Sequence, residues 1–307
     1  MSRMVSRKLP FVAALALLAV ALVAGDCSSN NWYFGNGFTS HPDLLAVAFA
    51  DDAWVTVGQD YTIANSGDGE TFTRQVVDCC GALRAIAFGG GTWVAAGDQG
   101  VAYTSTDSAT WFFQFLPTSR SMRGAAYGAG VHLLVGEDGR ILTSPNAGAW
   151  TLETSPTALD LASVVFAENL FVVVGDGGTV LTSPDGVAWT ARTSGVGADL
   201  HDVGWGDDLF VAVGDGGTVL SSPDGIRWTP ESTNVTADLD GAAFGAGVWV
   251  VVGDDGTLLS SPDAAAYTRR DPQTGRDLEG VAFADGQFVV VGRRAVIRNS
   301  TDGVTWF

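Results

Sequence analysis

A leucine or methionine returns every 39 residues without an insertion or deletion: Leu44, Leu83, Met122, Leu161, Leu200, Leu239 and Leu278. Five residues after each stands an aromatic: Phe49, Phe88, Tyr127, Phe166, Trp205, Phe244 and Phe283. Nine after that comes a glycine: Gly58, Gly97, Gly136, Gly175, Gly214, Gly253 and Gly292. The register runs from residue 44 to residue 307. A fixed period of this length means one supersecondary unit copied in tandem, each copy burying its apolar surface against the next.

The unit from Leu161 to Arg192 parses into four strands: LASVVF, LFVVVG, TVLTS and AWTAR, here named a to d from the first to the last. Glu168-Asn169, Asp176-Gly177-Gly178 and Pro184-Asp185-Gly186 separate them. Such turn residues supply the positive φ that tight hairpins need. Four antiparallel strands per unit predict a blade, and seven units predict an all-β, seven-bladed β-propeller. Strand a alternates with period two. Its Ala or Gly positions, such as Ala46/Ala48, Ala85/Ala87 and Gly280/Ala282, suit strands converging on an axis, and the aromatic packs between blades. The chain stops at Phe307, where the last strand d has barely begun. Tyr33 lies in phase with Phe72, Trp111, Trp150, Trp189, Trp228, Tyr267 and Trp306. Residues 32–38 are therefore expected to complete blade 7 as its outer strand, covering an open edge.

Export is expected from the N-terminus. Arg3, Arg7 and Lys8 precede an uncharged run from Leu9 to Gly25, interrupted by Pro10. That run is short for a membrane span and suits a signal segment over residues 1–25, followed by a short tether over 26–31. Leu22-Val23-Ala24-Gly25-Asp26-Cys27 resembles a bacterial lipobox, although Asp26 stands where a small residue is wanted. Plain secretion, lipidation at Cys27 and an uncleaved anchor stay open. Without residues 1–25 the chain carries 13 Arg against 34 acids, a net charge of −21. That surface repels nucleic acid and anionic membranes. Cys27 is expected to stay unpaired with Cys79 or Cys80, because the blade geometry puts it on the opposite face from them. Free thiols are the default for the adjacent pair, with a vicinal disulfide as the alternative.

The turn between strands c and d reads Ser183-Pro184-Asp185-Gly186, then Trp189. It recurs around Asp68, Asp107, Asn146, Asp224, Asp263 and Asp302. This resembles the Asp-box of bacterial-neuraminidase-repeat propellers, shortened by one residue before the aromatic. The superfamily includes sialidases, sortilin-type receptors and photosystem II assembly-factor-like propellers, and the last are nearest in length and blade count. The resemblance implies that these acids are structural and that the protein is an exported scaffold without catalysis. A local reason agrees: the carboxylate can cap the amides of its own turn.

Other motifs lose their chemical reading. GDGGT at 175–179 and 214–218 has no following Lys and leads into a strand, so it is a hairpin turn and not a phosphate loop. Asp98, Asp138, Asp176, Asp215, Asp254 and Asp255 lack the calcium-loop spacing. His41, His132 and His201 have no metal-ligand spacing, and His132 replaces an apolar residue in a strand b. No cofactor or metal is implied. The Arg-Ile-Pro segment of sialidases is missing, and sialidases have six blades.

In a propeller the b–c turns and the d-to-a crossovers share one face, and departures from the repeat there mark function. Arg269, Arg270, Arg276, Arg293 and Arg294 gather at the blade 6–7 junction, while Arg84, Arg120 and Arg123 gather at blades 2 and 3. The expectation is a non-catalytic module that holds a protein or glycan partner through unpaired arginines, which bind carboxylates in bidentate fashion. Two alternatives stay open: a glycoside hydrolase or lyase with its site at the channel mouth, and an envelope lipoprotein with a role in assembly.

Overall fold

A computed structural model describes residues 41–75 and 81–307. The expected signal segment, the tether, the closing strand 32–38 and all three cysteines lie outside the described residues. The described residues form seven antiparallel sheets around one channel. Six have four strands, and blade 7 shows three, Leu278–Ala284, Gln287–Gly292 and Val296–Ser300. At the outer edge of that last sheet Phe307 exchanges two backbone hydrogen bonds with Asn299.

The strands follow from local chemistry. In blade 4, strand a is Leu161–Ala167, b is Leu170–Gly175, c is Thr179–Ser183 and d is Thr190–Thr193. Glu168 and Asn169, at φ 50° and 57°, make the two-residue turn between a and b. Strand b is buried from its second residue onward because both of its faces meet a neighbouring blade: Phe171, Val172, Val173 and Val174 are all sealed from solvent. β-branched residues suit that doubly buried sheet. The aromatic of strand a lies over the start of strand b, Phe166 on Phe171 with ring centroids 4.5 Å apart. It also fills the space over the preceding blade, where a Cβ at Gly128 would meet the Phe166 ring at 2.0 Å. His132 occupies the strand b position held by Phe171 in blade 4. It is buried, packs edge-on against Tyr127 and is kept neutral by burial, which lowers its pKa.

The serine–acid turns close on themselves. In blade 4 the Ser183 hydroxyl donates to Asp185, which accepts the amides of Val187 and Ala188, each at 2.9 Å. Asp68, Asp107, Asn146, Asp224, Asp263 and Asp302 accept the equivalent two amides. The amides hold the Asp185 and Asp224 carboxyls below their ordinary range.

The ring also closes on the crossover face. The Arg294 amide donates to Asp43 at 2.9 Å and the Ala295 amide to the Pro42 carbonyl at 2.8 Å. On the outer side, Gln287 and Asn299 donate to the carbonyls of Asp68 and Gly69.

Candidate functional site

In every blade the pairing of strands a and b skips one residue next to the leading Leu or Met. Leu161 faces Gly175, but Ser163 faces Val174, so Ala162 is the extra residue. The same bulge recurs in the other six blades. A bulge re-aims its side chain out of the strand's alternation. Here it aims Leu45, Arg84, Arg123, Ala162, His201, Asp240 and Glu279 at the mouth of the central channel. The next residue of six of the strands contributes to the wall: Ala46, Ala85, Gly124, Ser163, Asp202 and Gly280. The lumen is about 230 Å³.

The charged groups at the mouth are tied together. Arg84 pairs with Asp98 at 2.8 Å, and Arg123 reaches Asp160 at 2.9 Å and Glu137 at 3.4 Å. Arg293 bridges Asp277 at 2.6 Å and Glu279 at 2.8 Å. His201 lies between Asp240 and Asp215, with each ring nitrogen 3.0 Å from a carboxylate oxygen. The hydrogen bond to Asp240 raises the His201 pKa to about 9 against the effect of burial, with the charges of Asp240, Asp215 and Asp238 adding to the rise. His201 is therefore an imidazolium at neutral pH, and both of its nitrogens donate.

Asp202 differs from these. It keeps an accessible edge in the lumen, yet the wall removes it from bulk water and burial pushes its carboxyl above the ordinary range. The Ser163 hydroxyl donates to it at 2.6 Å and the Ala242 amide at 3.0 Å, linking blades 4, 5 and 6. Among the described residues no cation pairs with it.

A second ring of acids is structural. Asp160, Asp199, Asp238, Asp277 and Asp43 each accept an amide from the b–c turn of the preceding blade, at Asp138, Gly177, Gly216, Asp255 and Arg294. Ala82 and Ser121 occupy the two remaining positions of this column. Crowding leaves some charge unbalanced. The Asp176 carboxyl is raised by burial and then by Asp199 and Asp160, and that of Asp254 by burial and then by Asp240 and Asp277.

The expected arginine sites do not form one surface. Arg269 and Arg270 line a shallow groove with Asp255, Asp271 and Pro272, and Arg270 donates to Ser260. Arg293 is tied to Glu279 of the mouth. Arg120 pairs with Asp138 at 2.6 Å. The expectation of unpaired guanidinium groups therefore fails at Arg84, Arg120, Arg123 and Arg293, because the 39-residue repeat places acids at the b–c turn and crossover positions beside them. Arg269, Arg276 and Arg294 are exposed, and their side chains have no ion pair or hydrogen bond among the described residues. Sequence reasoning missed Asp202, Asp240 and Glu279, and it considered His201 only as a metal ligand. The signal was present: the column one residue after each leading Leu or Met varies from blade to blade. Among the described residues no group of three or more His, Cys, Asp or Glu is placed to hold a metal ion.

No family model and no curated protein matches the chain. Solved structures do. A structure of YCF48 bound to D1 peptide superposes with a TM-score of 0.70 at 18% identity, over 87% of this chain and 93% of that one. YCF48 from Cyanidioschyzon merolae gives 0.68 at 16%, over 85% and 96%. The WD40 β-propeller domain of Doa1 gives 0.68 at 13%, over 89% and 98%. The likeness is one of fold. The resemblance to assembly-factor-like propellers is met at the level of architecture alone.

Proposed function

We propose that the chain is an exported, non-catalytic scaffold that holds a protein partner on its crossover face. The observation that carries this reading is the contrast between the two faces. The serine–acid turns of one face are seven near-copies, closed on themselves by the same hydrogen bonds. On the other face the bulge column differs almost blade by blade, and a repeat protein diversifies the surface it uses. The YCF48 neighbour with its D1 peptide supports a polypeptide as the partner class. Two of the three channel acids support a role without catalysis, since Asp240 is ion-paired with His201 and Glu279 with Arg293. A glycosidase or lyase needs an acid and a base free to exchange protons with substrate. Arg276 and Arg294 are the arginines offered to a partner's carboxylates, with the exposed Arg269 seven residues before Arg276. Export places this scaffold outside the cytoplasm, with lipid at Cys27 or an uncleaved leader as the two routes to envelope attachment.

The test is to select peptides from a displayed library on the purified propeller. Arg276→Glu combined with Arg294→Glu should weaken the selected acidic peptides about tenfold or more, a loss of at least about 1.4 kcal/mol. Val187→Glu combined with Ile226→Glu, at exposed tips of the opposite face, should leave them unchanged. Peptides weakened only by the second pair would place the partner on the wrong face and overturn the reading.

A further inference from the structure

We propose that the channel is a binding site for a slender cationic group, a primary ammonium or a guanidinium, seated against Asp202. In the other six blades the wall position of Asp202 carries nothing larger than serine, so this carboxylate is the one charge set into that ring. Withdrawing a carboxylate from water without a counter-ion is costly, and buried charges are otherwise paired. Asp202 accepts from the Ser163 hydroxyl and the Ala242 amide, the Val203 amide also faces it, and among the described residues it has no cation. A carboxylate offers about four acceptor positions, so three donors still leave room for a further one.

The cations of the mouth do not serve. Arg84 and Arg123 are held by Asp98, Glu137 and Asp160, and His201 by Asp215 and Asp240. A lumen of about 230 Å³ accepts a narrow ligand and excludes a bulky one. On the way in, a cation passes a mouth whose charges, Arg84, Arg123, His201, Asp240 and Glu279, are already paired, so Asp202 is the first unpaired one it meets. Burial raises the Asp202 pKa, and an arriving positive charge would favour its ionised form. The site stands on the channel itself and not on the partner proposed above. The cation can be a free diamine or guanidine, or the tip of a Lys or Arg side chain on a docked polypeptide.

Calorimetry with agmatine, and separately with a glycine–serine peptide carrying one central arginine, tests the proposal. Wild type should bind at least one of the two with a Kd below about 10 mM, and Asp202→Asn should weaken that binding about tenfold or more. The asparagine keeps an acceptor for Ala242 and a donor for Ser163, so its melting temperature reports whether the wall survives. Should it fail to fold, Ala162→Lys adds a tethered ammonium at the mouth and should weaken agmatine or the peptide by competition. Preference for the peptide identifies a partner's side chain as the source, and preference for agmatine a free ligand. No binding to wild type by either probe, or equal binding to wild type and a folded Asp202→Asn, would overturn the site. Peptide capture on the crossover face would be unaffected by that failure.

Discussion

Gly175→Ala should lower the stability of the ring by at least about 3 kcal/mol, read as a fall in the urea midpoint. A Cβ at Gly175 would stand 2.1 Å from the Asp160 carbonyl oxygen and 2.9 Å from the Leu161 Cα. That carbonyl accepts the Asp176 amide at 3.0 Å. The crossover must therefore move away, and the hydrogen bond that anchors it goes with it. Stiffening the unfolded chain would return only about 0.4–1 kcal/mol. All seven glycines of this column meet a crossover carbonyl in the same way, at 1.9 to 2.2 Å, so the effect should repeat from blade to blade. Gly197→Ala is the control: its Cβ would meet nothing within 4 Å, and its midpoint should stay equal or rise slightly. Equal midpoints for Gly175→Ala and wild type would show that the crossover does not lie against strand b.

His201 should make the stability of the ring depend on pH in the alkaline range. Its folded-state pKa, about 9, lies above the ordinary imidazole value of 6.5. A raised pKa in the folded state means that the proton favours the folded state. The contribution is complete below the unfolded value and is lost as pH rises through about 9. Between pH 6 and pH 10 wild type should lose up to about 3 kcal/mol more than His201→Gln, a ceiling that solvent screening lowers. Melting temperatures at both pH values measure this directly. Parallel curves for the two proteins would mean that His201 does not hold Asp215 and Asp240 as an imidazolium.

Most of the architecture was legible because a repeat multiplies every local signal. Strand b of blade 4 falls at the residues its Val-rich run marks, and the turn at Glu168-Asn169 follows from its sequence alone. The glycine column was equally visible, although its cause, a carbonyl at van der Waals overlap, is a tertiary fact. The site was harder to read. Arg84 and Arg293 look like free charge in a sequence of −18. Their acids, Asp98 and Glu279, sit 14 residues away along the chain and come alongside only because strands a and b are paired. The bulge itself was hidden, because one skipped residue in an antiparallel pair leaves the period unchanged at 39. Without it, Asp202 and His201 read as ordinary members of an alternating strand. The partnership of His201 with Asp240 spans 39 residues, one full repeat, which is the distance at which neighbouring blades meet.

The location of function on the crossover face is tested most directly by hydrogen–deuterium exchange of the propeller with and without a selected peptide. Binding should slow exchange at the b–c turns and crossovers, over residues 137–139, 176–178, 215–217 and 254–256. It should leave the serine–acid turns at 185–188, 224–227 and 302–305 at their free rates. Slowed exchange at those serine–acid turns, with the crossover face unchanged, would contradict the assignment of function to this face.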